Sequence, residues 1–418
     1  MKRVAVIGAG ASGMLAAIAA SLHSEVSVFD KNEYPGRKLL QTGNGKCNFT
    51  NEDISPDRYR GSLRDKGILD AVLKEYDRDF LLDLFRSYGL LYHEKNKGFY
   101  PRSDSAGSVN DVLIRKMKLS GVRFHGSVQV KSIEKGKDGR FFLTLYHLKD
   151  NKKTRDETGF DAVIVASGGK SAPKTGSTGD AYYFAEEFGL TVVPPLPALT
   201  RLLSDDKFFN DNNVRAEAAV SLYIDGVNTC TSKGELQITN TGPSGICVFD
   251  LSGRAAAALK AGKKCELSAD LLPEYGEDEI FTMLKEHAGS LSKEDFKAGL
   301  FLGIFSERLS LNVYEKIRRE LFNGKELPSD LSDTDLRRIA AVLKDMRFSV
   351  NGTGEFSVSQ VTSGGIHADS LNPDLSAKKV PGLFFAGECL DTDGDCGGFN
   401  LHWAFVSGYK AGSSAIAD

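Results

Sequence analysis

The six residues Gly8-Ala9-Gly10-Ala11-Ser12-Gly13 limit what this chain can become more than any other segment. They stand between a short apolar run, Val4-Ala5-Val6-Ile7, and an Ala-rich helical stretch from Met14 to Leu22. Such a run suits a strand of a parallel sheet buried on both faces. In G-x-G-x-x-G each glycine answers a separate demand. Gly8 allows the tight turn, Gly10 lets a diphosphate approach the backbone, and Gly13 lets the helix pack on the strand. The unpaired N–H groups where the helix begins, at Ala11 and Ser12, favour negative charge. Val26-Ser27-Val28-Phe29 predicts a second strand that ends at Asp30, with Lys31 beside it. A carboxylate at that position receives a ribose hydroxyl, suits a free 2′-hydroxyl and repels a 2′-phosphate. The unit predicts the adenosine half of FAD or NAD, and by itself does not choose between them.

Two later strands end in small residues. Asp161 to Gly169 runs into Ala166, Ser167 and Gly168, and Val380 to Glu388 ends in Gly387-Glu388. Strand ends without bulk let a ligand approach the backbone. After Asp391, Asp393 and Asp395 comes Gly397-Gly398-Phe399-Asn400-Leu401-His402, which reads as the start of a last helix.

Together with Gly36-Arg37-Lys38-Leu39-Leu40, Thr42-Gly43-Asn44-Gly45-Lys46-Cys47-Asn48, Phe99 to Ser103 and Gln360 to Gly365, these segments resemble the BaiN-like flavoproteins. That family is also called the aminoacetone oxidase family of NAD(P)/FAD-dependent oxidoreductases, within the glutathione-reductase-type FAD superfamily. The resemblance spans the whole chain. It implies non-covalent FAD held by elements from both ends of the sequence: Val130 at the adenine through its backbone, Gly168 near the adenosine, Gly387 and Glu388 under the pyrophosphate and ribityl chain, and the Gly398-Phe399-Asn400-Leu401 turn at the pyrimidine end of the flavin. A helix N-terminus there would accept the negative charge that reduction develops. Arg37 and Lys38 are expected to contact flavin or its phosphates, the alternative being a solvated basic pair, and Gly43, Gly45 and Asn48 to line it; Cys47 reads as a packing or flavin-lining residue, since a redox-active thiol would need a second cysteine close in sequence. His402, where the family often has Gln, is a weak candidate for a catalytic acid or hydrogen-bond donor; the bland reading is a half-buried helical residue.

The fold expected is α/β: a Rossmann-like FAD-binding domain of glutathione-reductase type over 1–193 and 347–418, with an insert at 194–346. The insert reads as β-rich to about 265 and mainly helical beyond, since short alternating strands give way to helical periodicity. Substrate is expected where insert and FAD domain face each other. The insert's Asn240-Thr241 departs from the His-Tyr-like pair common in the family, so no catalytic role is carried over to those positions.

Charge excludes little but weighs against RNA: 53 Lys and Arg against 56 Asp and Glu leave a net charge of −3. The six cysteines form no C-x-x-C and no metal grouping with the seven histidines, and Asp391, Asp393 and Asp395 lack the remaining positions of an EF-hand. Reduced thiols and the absence of a long apolar run predict a cytoplasmic protein. The expected partners are small molecules, without nucleic acid, membrane or metal, and no oligomeric state is implied.

The reading is an FAD-dependent oxidoreductase that passes hydride between a small organic substrate and flavin N5. By resemblance this means amine oxidation by O2 or reduction of an enone in a 3-oxo bile-acid-like compound. No second dinucleotide unit is present, so NAD(P)H would be a transient co-substrate. The alternatives are a flavoprotein of tRNA modification or redox sensing, and a plain NAD-dependent dehydrogenase.

Overall fold

The computed structural model describes residues 1–156, 158–210, 214–291, 299–328 and 330–416. The chain divides into two compact units, Met1–Leu196 with Phe356–Asp418, and Pro197–Glu355.

In the first unit, β1 (Lys2–Ile7), α1 (Ala11–Ala20) and β2 (Ser24–Phe29) follow the order that the glycine spacing demands. A five-stranded parallel sheet forms in the order Leu383–Phe385, Ala162–Val165, β1, β2, Arg123–His125. The central strands read as continuous apolar runs because both faces are covered. Ala5 and Ile7 join one core with Val163, Val165 and Phe385, whereas Val4 and Val6 join another with Met14, Leu15, Ile164 and Phe384. Each such Val or Ile contributes roughly 1.5–3 kcal/mol by leaving water.

The helix Phe399–Ser414 lies directly on α1. A Cβ added at Gly408 would stand 2.1 Å from the Ser12 carbonyl oxygen, and one at Gly412 2.3 Å from that of Ala16. The two backbones are so close that one methyl group would force them apart. This contact joins the first and last helices of the unit.

The second unit is built on an antiparallel sheet ordered Gly242–Ser244, Val227–Thr239, Val214–Ile224, Cys265–Asp270, Met346–Val350. The helices Ile246–Lys260, Glu277–Ser290, Glu307–Leu321 and Asp333–Lys344 supply the rest of its core. Ser332 begins the last of these with a reciprocal cap: its hydroxyl accepts from the Asp335 N–H, and the Asp335 carboxylate accepts from the Ser332 N–H.

The β and helical parts are therefore interleaved and not consecutive as expected. The helix Ile246–Lys260 falls inside the stretch read as β-rich, and two strands of the sheet come from beyond residue 264. Met346–Val350 pairs with Cys265–Ala269 and so belongs to the insert, and the return to the first unit lies at Phe356. Alternating strands at 218–225 and 235–239 could not reveal this, because strand pairing across 80 residues leaves no local signature. Residues 211–213, 292–298 and 329 of the expected insert lie outside the described residues. No helix of the described residues is long and apolar enough to cross a membrane.

Candidate functional site

The opening turn of the first unit is a cradle. Cβ atoms added at Gly8 and Gly13 would collide with the Ala166 carbonyl oxygen at 2.5 Å and the Gly8 carbonyl oxygen at 1.9 Å, whereas one at Gly10 would meet nothing within 4 Å. Two glycines are packed from behind and the middle one faces open space. Behind Gly10, α1 starts with no side-chain cap and no acid in its first turn. Its first N–H groups and its dipole are thus available to an anion.

Asp30 stands at the end of β2, its two carboxylate oxygens each accepting a backbone N–H at 2.7 Å, from Ala9 and from Asn32. Burial raises its pKa, and those two hydrogen bonds oppose the rise. The carboxylate therefore holds the Gly-rich turn in register with β2 while keeping lone pairs for a ligand hydroxyl. Val130 lies in the neighbouring strand Val128–Lys135, whose start is tied to the same place by a Val128 N–H donated to the Asp30 carbonyl.

Contacts across the length of the sequence then assemble the rest. Lys38 Nζ pairs with Glu388 Oε2 at 2.6 Å, and Glu388 Oε1 accepts from the Thr362 N–H at 3.0 Å and its hydroxyl at 2.9 Å. Gly387 has φ +81°, and a Cβ there would come within 2.5 Å of Ser12 Oγ. Asn51 Nδ2 donates to the Gly397 carbonyl at 2.8 Å, and Gly398 sits against the Thr50 carbonyl and the Asn48 amide. The helix Phe399–Ser414 starts without a side-chain cap. Ser167 Oγ, Asn48 Oδ1 and Thr392 Oγ1 are buried polar atoms without partners along these segments. An open cradle, two uncapped helix starts and unpaired polar atoms fit a dinucleotide with a diphosphate bridge.

Other expected site residues are brought nearby but are already occupied. Lys31 pairs with Asp180 at 2.7 Å, and exposed Arg37 donates to Asn32 Oδ1 at 3.1 Å. Gly168 adopts φ +75° against Ser177, and the Ala166 N–H donates to Ile7. Asn400 points back, its amide bridging the Gly394 N–H and carbonyl, and Phe399 packs edge-on against Tyr59. Leu401 is half-buried at the edge of a core cluster. Gly43 and Gly45 shape a loop of positive φ, with an open approach at Gly45. Asp391 accepts from the Ser62 N–H, and Asp393 and Asp395 both pair with Arg60.

Two of the expected site residues lie in the core. Cys47 and His402 are both 0% exposed. Cys47 is a core residue, and burial pushes its thiol up to about 12, which disfavours the thiolate. His402 Nδ1 lies 2.9 Å from Thr50 Oγ1, and burial lowers its pKa to about 4. The imidazole is therefore neutral in the fold. Its helical position behind Leu401 could not disclose which side of the helix faces inward.

Sequence reasoning missed Thr362, Thr392 and the Gly408-Gly412 pair. The small-residue spacing Gly408-Tyr409-Lys410-Ala411-Gly412 was visible, but only the fold identifies α1 as its partner.

A family model described as "HI0933-like protein Rossmann domain" matches residues 2–414. Among curated proteins, the chain is 33% identical over 422 residues to a 3-dehydro-bile acid delta(4,6)-reductase of Clostridium scindens, covering 99% of each chain. It is 29% identical over 418 residues to a ribosomal RNA dihydrouridine synthase of Escherichia coli, covering 99% of this chain and 97% of that one. Among solved structures, 3-ketosteroid delta1-dehydrogenase of Sterolibacterium denitrificans shares the fold, with a TM-score of 0.52, 13% identity and full coverage of both chains.

Proposed function

Because the chain belongs to the HI0933-like Rossmann family, we propose that it is an FAD-dependent oxidoreductase that reduces a carbon–carbon double bond conjugated to a carbonyl. The observation that carries the reading is the meeting of the open Gly10 cradle with Gly387 and the Lys38–Glu388 pair, which supports a long dinucleotide laid across both ends of the first unit. The names of the relatives supply the reaction class. A delta(4,6)-reductase of a 3-oxo bile acid and a dihydrouridine synthase both saturate an alkene polarised by a neighbouring carbonyl. In each case the electron-poor carbon accepts hydride.

When bound, FAD would supply the hydride chemistry, with NAD(P)H as its transient reductant. The chain's own residues bind and orient. The N–H groups of Ala11 and Ser12 and the dipole of α1 would hold the diphosphate, and Asp30 would hold a ribose hydroxyl. Lys38 and Thr362 fix the Glu388 carboxylate in one rotamer. The uncapped N-terminus of Phe399–Ser414 would stabilise negative charge on the flavin. The substrate class favoured is a steroid-like enone, since the relative with the higher identity is the bile-acid reductase.

The test is anaerobic stopped-flow. Bound flavin should bleach with NADH or NADPH and regain its colour when a 3-oxo-4-ene steroid is added. A colourless purified protein, or reduced flavin indifferent to the enone, would end the proposal. Two further arms test the other chemistries. Dihydrouridine formed in uridine-containing RNA would assign the second relatives' substrate, and O2 uptake driven by aminoacetone would assign amine oxidation.

A further inference from the structure

The first unit holds a cavity of about 350 Å³ that includes none of the cradle residues. Its size falls within the range of small-molecule sites. On one side stands the parallel sheet, through Arg3, Phe29 and His125, and on the other the antiparallel sheet of Val128–Lys135, Phe141–His147 and Lys152–Arg155. Parallel register sets Ser27 beside Arg123 and Phe29 beside His125, so these four share one face of their sheet.

The lining is cationic. It carries three arginines, Arg3, Arg123 and Arg155, and two histidines, His125 and His147, against one carboxylate, Asp156. Half-buried Arg3 is fixed in place: its guanidinium donates to the Thr158 hydroxyl and the Gly159 carbonyl, lies 4.7 Å over the Phe160 ring and stands 3.7 Å from Asp156. Arg123 holds Glu25 at 3.0 Å and Arg155 holds Glu134 at 2.8 Å, in pairs whose side chains are all more than half exposed. Exposed pairs of this kind are worth at most about 1 kcal/mol, so both guanidinium forks remain open to a better acceptor.

His125 adds the second observation. Its ring stacks on Phe29, with 4.8 Å between centroids and 13° between planes. Five of the other histidines have a hydrogen-bond partner and His23 is exposed; among the described residues His125 is the one half-buried imidazole without such a partner. Burial lowers its pKa, Arg123 and His147 lower it further, and Asp156 opposes them. The cavity thus gathers donors and positive charge around an imidazole that nothing in the fold completes.

We propose that this cavity binds a small phosphate monoester, apart from the dinucleotide cradle. Arg3, Arg123 and His125 hold the phosphate, and its organic body lies on Phe29, Leu145 and Phe160. A phosphate suits the site better than a carboxylate because it offers three acceptor oxygens to donors that converge from separate strands. The inference does not depend on the reaction proposed above.

The test is calorimetry on the FAD-loaded protein, whose cradle is filled, with phenyl phosphate, inorganic phosphate and phenol as probes. Phenyl phosphate should bind, inorganic phosphate about 10-fold more weakly for want of an apolar body, and phenol not at all. Arg123→Gln and His125→Gln should each weaken phenyl phosphate by about 10-fold, the loss of one hydrogen bond to a charged group, and Arg123→Lys should lose less than R123Q. Lys149→Gln, which removes an exposed cation of the same unit outside the cavity, should change nothing. FAD content should be the same in all four variants. Absence of binding to the wild-type flavoprotein, or binding that R123Q and H125Q both leave intact, overturns the proposal. So does binding confined to the apoprotein and displaced by FAD, which would make the cavity part of the cofactor site. Inorganic phosphate bound as tightly as its phenyl ester would overturn the assignment of an organic body.

Discussion

The first unit contains two glycine turns that lead into uncapped helices, and they reached that geometry by different routes. The opening turn at Gly8–Gly13 is organised locally: β1, the turn, α1 and Asp30 all lie within the first 30 residues, and the Ala9 N–H reaches the Asp30 carboxylate at 2.7 Å. The closing turn at Gly397–Gly398 is organised from afar, by Asn51, Thr50 and Asn48 some 350 positions earlier, and its helix is seated on α1 through Gly408 and Gly412. The difference teaches that one site can combine a self-sufficient motif with one that exists only once the chain has folded. Damage to the first should act on the cofactor directly, whereas damage to the second should act through packing.

The largest effect is expected where the two turns depend on each other. Gly408→Val would drive side-chain atoms into the Ser12 backbone. Overpacking against backbone costs at least 1–3 kcal/mol. Thermal unfolding should fall accordingly, and the 450 nm flavin absorbance should be lost. A variant that keeps both would show that the closing helix is not braced on α1.

The next effect is pH-dependent and belongs to the closing turn alone. His402 is neutral in the fold, with a pKa of about 4 against an ordinary 6.5. In the unfolded chain it takes up a proton as pH falls below 6.5, so its contribution to stability is complete above that pH. It is lost progressively toward pH 4, by an amount on the order of 3 kcal/mol. Denaturant titrations of His402→Gln should show less acid destabilisation over that window, with turnover at pH 7.5 retained. Loss of turnover would return His402 to the mechanism.

Lys38→Ala sharpens the comparison from the middle, because Lys38 ties the segment after β2 to Glu388. Removing it leaves a carboxylate with its side chain 19% exposed and no cation. FAD affinity should fall by about 10-fold, measured by fluorescence titration of the apoprotein, as expected for a hydrogen bond to a charged group. The smallest effect is expected at Cys47, whose thiol is wholly buried. Cys47→Ala should cost about 1 kcal/mol in packing and leave flavin content and reduction rate unchanged, and a slowed reduction would restore it to the flavin site.

Legibility followed the same division. The strand, turn, helix and acid of the opening unit could be read because each answers a steric or electrostatic demand from neighbours a few residues away. The strands ending at Val165 and Phe385 could be read from apolar runs that require two-sided burial. The insert's strands were only partly legible, since Met346–Val350 looks like the end of a helical region until its pairing with Cys265–Asp270 is known. The burial of Cys47 and His402 was not legible, because a side chain's chemistry does not reveal whether it faces the core or a cleft.

The sequence by itself determined the strand, glycine turn, helix and acid that begin this chain, because turn geometry, backbone access and the carboxylate after β2 are all specified within one short stretch. Tertiary structure alone decided that Gly408 and Gly412 brace α1 and that Lys38 meets Glu388. Those outcomes depend on the path of several hundred intervening residues. Pairings across such separations come from the global packing of the core, and no local pattern encodes them.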